Sequence, residues 1–326
     1  MKKALICLIL IFFSTSLFTA QEKLQLEASL MPGVINSFTQ EILYENWNSD
    51  AHALSLLEWQ NYLSPCFFAD ANCTFNQRFF LDINGLCALP FSTGVMRDND
   101  WLNLLSTGTK EQTNFSEHKN KTEFYYYISA APGVSYPVSN AITLKVFFPF
   151  KYYSFSFIST DGYTQYGQKT GVYNGEDVYS PWTSSIEKKQ LQGKVITYQN
   201  QDIFFGLGTQ ADFKINDKLN LSALIQLQPA LLSKGLDIHH RNKVRDPYTF
   251  FDFSSKLAFT STFLIKYKLS SSGKLNARIE YCFLDTEKSK MFQSRNKSSW
   301  QQVANPGAQT QHNLSILLGY TYWYEK

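Results

Sequence analysis

The sequence predicts an all-β fold, a transmembrane antiparallel up-and-down β-barrel of about ten strands. Three observations predict it. First, apolar and polar residues alternate with period two from one end of the 326-residue chain to the other, as in strands whose two faces meet different surroundings. Second, aromatics reach 16%, with 27 Phe and 19 Tyr, while charged residues fall to 17%, below the ~25% of soluble domains. Third, the links between runs are short and long in turn, the asymmetry of outer-membrane barrels. The net charge of +3, with no basic stripe, gives no reason to expect a nucleic-acid partner.

The first element is a targeting segment. Lys2-Lys3 precede an apolar run from Ala4 to Phe13 and a small-residue stretch from Ser14 to Ala20. This reads as a signal peptide over residues 1–20, cleaved after Ala20, with residues 21–326 forming the barrel. The apolar run is shorter than the roughly 20 residues a helix needs to span a bilayer, and no later segment reaches that length. Any crossing must use strands. Export implies an oxidising compartment, in which Cys66, Cys73, Cys87 and Cys282 remain. Cys66 and Cys73 flank an expected tight turn, where a local bridge is expected. Their spacing does not fit a metal site.

The strands follow in order. Leu24, Leu26, Ala28 and Leu30 alternate with Gln25, Glu27 and Ser29. Leu57 and Trp59 alternate with Glu58 and Gln60, and Phe75, Phe79, Leu81 and Ile83 share one face of a single third run. Phe124, Tyr126 and Ile128 lead into the turn signal at 130–133, and Ile142, Leu144, Val146 and Phe148 open the next run. Ile203 to Phe213 stops at Asn216-Asp217-Lys218, and Leu219 to Leu227 follows. Leu257 to Tyr267 stops at 270–273, and Leu275 to Phe283 and Leu314 to Tyr324 complete the set. Short links are expected near 66–74, 131–140, 214–218 and 270–273. Long ones are expected over 41–53, 90–121, 158–194, 233–250 and 285–311. An even strand number puts both termini on the short-turn side. Trp59, Trp101 and Trp182 are expected in the interfacial girdles. A soluble β-sandwich is the competing fold, and runs of this length argue against it.

Two polar tripeptides carry chemistry, Asp98-Asn99-Asp100 and Asp237-Ile238-His239. Each falls in an odd-to-even connection, so both are expected at the outer rim. In extended chain, residues i and i+2 share a face, which pairs Asp98 with Asp100 and Asp237 with His239. A carboxylate on an imidazole fixes its tautomer and stabilises its charged form. A water between His239 and the aspartate pair can lose a proton as it attacks a peptide carbonyl, help worth roughly 10²–10⁴-fold. His239-His240 has no second ligand pair to make a metal site. Hydrolysis of polypeptides is the leading expectation. A non-enzymatic surface barrel, acting as adhesin or host-protein-binding scaffold, and a small porin are the alternatives.

The stretch Val95-Met96-Arg97-Asp98-Asn99-Asp100-Trp101-Leu102 resembles the signature of the omptins, in which Asp-x-Asp-Trp closes the second strand pair. Leu57-Glu58-Trp59 is similar to that family's start of strand two, and Asp237-Ile238-His239 to its Asp-x-His. The resemblance implies a ten-stranded endopeptidase of the bacterial outer membrane, working in an extracellular groove. It implies catalytic roles for Asp98, Asp100, Asp237 and His239, no cofactor, and a need for lipopolysaccharide or a similar outer-membrane lipid. It further implies that Glu41 receives a basic side chain of the substrate. The family's second acid for that purpose stands two residues before the Asp of Asp-x-His, where this chain has Gly235.

Overall fold

The computed structural model describes residues 24–325 apart from 49, 103–110, 174–175, 242–245 and 254. The expected signal peptide lies outside the described residues. Among those residues there is no helix, and ten antiparallel paths carry the fold. β1 (Leu24–Tyr44) and β2 (Ala53–Phe75) are unbroken, β3 (Phe79–Ala88) continues as β4 (Phe91–Asp100), and β5 (Asn114–Pro137) is again unbroken. β6 (Ile142–Phe147) continues as β7 (Phe150–Tyr166), followed by a small hairpin of β8 (Lys169–Tyr173) and β9 (Glu176–Tyr179) and by β10 (Lys189–Gln190). β11 (Lys194–Phe205) with β12 (Leu207–Lys214) is the sixth path, and β13 (Leu219–His239) the seventh. β14 (Tyr248–Asp252) with β15 (Leu257–Lys268), β16 (Gly273–Asp285) with β17 (Ser289–Ser294), and β18 (Gln301–Glu325) complete the set. β18 pairs with β1 from Gln25↔Glu325 to Leu43↔Gly307, which closes the barrel. Among the described residues, closure leaves each of the ten paths paired on both sides, the condition for strands to cross a bilayer.

The apolar belt follows from the alternation. Leu30, Phe67, Ile83, Ile128, Leu227, Ile279 and Ile316 face outward and are exposed, and Tyr136, Tyr267, Tyr320, Tyr322 and Tyr324 ring the short-turn end. Beyond the belt the alternation changes phase. On β2, Cys66 and Phe68 face inward within the belt, while above it the inward residues are Leu57, Trp59 and Asn61. The change occurs where Leu63 adopts a left-handed φ of 49° and the pairing with β1 slips between Ile35 and Ser37. A bulge of this kind re-aims every side chain beyond it.

Several expectations are corrected. Trp59 is not in a girdle: it is 0% exposed, inside the barrel. Residues 66–74 are strand, and the first short turn lies at 76–78, where Arg78 N donates to Phe75 O at 3.1 Å. Asn76 and Gln77 take the positive φ the turn needs, 50° and 56°. Phe75 pairs with Phe79 across it, so this three-residue loop preserves parity and the alternation runs through it unbroken. Cys66 and Cys73 are free and lie seven residues apart on β2. That is about 23 Å at a strand's ~3.3 Å per residue, and a disulfide needs Cα atoms within about 7 Å. The polar stretches 90–121 and 233–250 are largely strand too. Outside the membrane the outward face no longer has to be apolar, so pairing continues where the hydropathy signal stops.

Candidate active site

Polar strand ends above the belt build a groove. On β13 the last large lipid-facing side chain is Leu232, and Asp237 stands five residues on, about 17 Å along the strand. Asp98 and Asp100 occupy the end of β4, not a loop. Asp98 lies opposite Leu57 on β2 and Ser116 on β5, and Asp100 opposite Ser55 and Asn114. Asp237 lies opposite Tyr198 on β11 and Thr249 on β14. Antiparallel pairing fixes these neighbours, and the i, i+2 rule turns each pair inward. Glu41, Asp98, Asp100, Asp237 and His239 all line one groove of about 1000 Å³.

Nε2 of His239 stands 2.5 Å from Oδ2 of Asp237, with side-chain exposures of 36% and 4%. With Nε2 donating there, Nδ1 is the ring nitrogen left to take a proton from a water. Burial opposes charge on the ring, yet Asp237 first, then Asp98 and Asp100, carry its pKa up to about 9. Ser55 Oγ donates to Oδ1 of Asp98 at 3.4 Å and Asn114 Nδ2 to Oδ2 of Asp100 at 3.5 Å. Burial and then Asp100 hold the Asp98 carboxyl well above the usual carboxylate range, against the pull of His239. A carboxylate neighbour on the same strand face favours the protonated form of Asp98. The groove thus favours the protonated forms of both the His239 imidazole and the Asp98 carboxyl.

Glu41 lies on the floor of the groove, 5% exposed. Gly235 leaves no gap beside it. A Cβ there would come within 2.8 Å of Cε2 of Phe253 and 3.2 Å of the Tyr198 hydroxyl oxygen, so aromatic rings fill the place an acidic side chain would take. Sequence reading missed Ser55, Asn114 and Tyr198, because their roles come from register and no motif announces them. It also passed over His118, a second imidazole in the groove. Both nitrogens of that ring are committed, Nε2 to Ser116 Oγ at 2.9 Å and Nδ1 to the carbonyl of Asp161 at 2.5 Å. His240 likewise bonds Thr197 Oγ1 through Nε2 at 2.8 Å. Among these three imidazoles, His239 is the one set against a carboxylate.

Comparison with known proteins adds the family. A sequence profile of the omptin family matches residues 20–324. The crystal structure of outer membrane protease OmpT from Escherichia coli superposes with a TM-score of 0.78 at 14% identity, covering 92% of this chain and 97% of that one. At that identity the likeness establishes the fold. The attachment invasion locus protein Ail of Yersinia pestis, with a TM-score of 0.28, 9% identity and coverages of 91% and 98%, is too distant to carry an argument. So is the toluene transporter TodX of Pseudomonas putida, at 0.28, 9%, 93% and 90%. No curated protein sequence matches the chain.

Proposed function

The chain belongs to the omptin family, and on that premise we propose that it is an outer-membrane endopeptidase whose groove faces the exterior. One observation carries the reading: the Asp237–His239 pair, at 2.5 Å, opens onto the same groove as Asp98 and Asp100. A polypeptide strand laid along the groove places its scissile carbonyl between the two. Nδ1 of neutral His239 takes a proton from water as the water oxygen bonds to the carbonyl carbon. A proton on Asp98 stabilises the developing oxyanion, and His239 then gives the proton it took from water to the amide nitrogen as the C–N bond breaks, leaving a carboxyl and an amine product. Asp237 holds the ring and stabilises its charged form.

Any preference for basic residues rests on Glu41 alone, because Gly235 contributes no charge. An outer-leaflet lipid such as lipopolysaccharide belongs to the proposal as a requirement for activity, tested by assaying with and without it.

The test is cleavage of a peptide library by protein refolded in detergent with lipopolysaccharide. His239→Ala and Asp98→Ala are each expected to lose roughly 10²–10⁴-fold in kcat/KM. Cleavage that survives both substitutions would remove the mechanism.

A further inference from the structure

Two residues past His239, where β13 has ended, Arg241 lines the same groove. The turn that carries it is tied to β11. His240 N donates to the carbonyl of Val195 at 2.9 Å, and its ring bonds Thr197 Oγ1 at 2.8 Å. The Arg241 side chain is tied down as well. Its Nε donates to the carbonyl of Lys194 at 3.3 Å, and its Nη2 stands 3.6 Å from the place of a Cβ on Gly193. Gly193 takes a φ of 77°, a conformation a side chain would strain. The residue nevertheless stays exposed. The other arginine of the groove, Arg295, is paired with Asp246 at 2.9 Å. Arg241 has no carboxylate partner among the described residues, and every Asp and Glu from Glu27 to Glu287 is among them. The groove thus presents a positioned cation without an anion of its own.

We propose that Arg241 is a specificity-determining residue that receives a carboxylate of the substrate, an Asp or Glu side chain close to the scissile bond. The inference rests on the endopeptidase reading of the groove. With Nε spent on a main-chain carbonyl, a carboxylate meets the guanidinium through its two Nη groups, the paired geometry that suits two oxygens. The anchors hold that fork before substrate arrives, so little freedom is lost on binding. Arg241 stands two residues from His239, about 7 Å along the chain, so the acidic residue it meets lies within about two positions of the bond that is cut. Elsewhere the groove repels such a residue. Glu41 on β1 and Asp98 and Asp100 on β4 form the wall across from β13, and like charges brought together discriminate against a ligand. The preference is therefore confined to one substrate position, and it is additional to any basic side chain received at Glu41.

Paired peptides that differ only in Asp against Asn, placed in turn at each position around the cleaved bond, test this with the full barrel in detergent. The quantity read is the ratio of kcat/KM for the Asp peptide to that for its Asn twin. In the wild type one position is expected to favour Asp about tenfold, the scale of a hydrogen bond to a charged group. Arg241→Gln brings that ratio to one, and Arg241→Glu inverts it and favours Lys at the same position. A wild type with no such position, or a ratio that survives Arg241→Gln, would overturn the proposal. The second readout needs no turnover. Fluorescein-labelled Asp and Asn peptides are titrated by anisotropy against His239→Ala protein, with and without Arg241→Gln. The Asp peptide is expected to bind about tenfold tighter, and the added substitution to erase the difference; equal affinities before it would count against Arg241. Wild-type protein that cleaves nothing would sink the endopeptidase reading, and the anisotropy titration would still decide whether Arg241 takes an acidic side chain.

Discussion

At the scale of single residues, the proposed mechanism makes the protonation of His239 decide when the groove can work. Its pKa of about 9 means that at neutral pH the ring carries a proton, so the neutral form that accepts one from water grows as pH rises. The expected kcat/KM profile has a rising limb with an apparent pKa of about 9. Asp237 leads the carboxylates that raise this value, so Asp237→Asn moves the limb to lower pH, toward an ordinary imidazole near ~6.5, while lowering the plateau. The same shift bears on stability: a pKa raised in the folded state favours folding most below about 6.5 and loses that contribution as pH climbs through about 9. A pH–rate comparison of wild type and Asp237→Asn checks the sign, and a limb that stays put would show that another group titrates there. The two tripeptides were legible because extended backbone alone puts residues i and i+2 on one face. Ser55, Asn114 and Tyr198 were not, because each acquires its role from the strand opposite.

At the scale of strands, β4 holds Asp98 and Asp100 in place through its close approach to β2. Gly94 makes that approach tolerable: a Cβ there would lie 1.6 Å from the carbonyl oxygen of Gln60, an atom of the β2 backbone. Gly94→Ala must separate the two strands, and overpacking of this sort costs about 1–3 kcal/mol. Since Asp98 and Asp100 follow on the same strand, activity should fall along with the unfolding midpoint in urea. Gly171→Ala, with nothing within 4 Å of the added atom, is the matched control and should change neither. An unchanged midpoint in Gly94→Ala would show that β2 and β4 yield more easily than their spacing implies. Strand identity within the belt was legible, since lipid forces one face to be apolar. The extensions above it were hidden. There β4 reads as a polar loop, although Asp98 and Asp100 are hydrogen-bonded across to β2 and β5. The bulge at Leu63 was hidden too, because a phase change in the alternation resembles a break between strands.

At the scale of the whole molecule, the barrel interior divides into two chambers. Toward the termini lies a space of about 500 Å³, crossed by ion pairs from Glu27 to Lys266 at 2.7 Å and to Lys274 at 2.6 Å, and from Lys145 to Asp212 at 2.9 Å. The groove is the other. Between them Tyr125, Tyr153, Phe155, Phe204 and Tyr198 are buried. So is Lys256, whose Nζ donates at 2.7 Å to Oδ1 of Asn200 and at 2.7 Å to Oδ2 of Asp202. Ten strands enclose little more than their own side chains can fill, and here aromatic rings and a fully buried ion pair fill it. The porin alternative needs a continuous aqueous path through this layer. Refolded protein in a planar bilayer should therefore pass no steady current at any holding potential, and a stable ohmic conductance would revive that alternative. Lys256→Ala sharpens the measurement. It strands Asp202 in the layer, a loss of about 3–5 kcal/mol for a broken buried pair, and it removes side-chain volume from that layer. If the layer is the seal, transient conductance should appear in Lys256→Ala together with a lower unfolding midpoint, while the wild type stays silent.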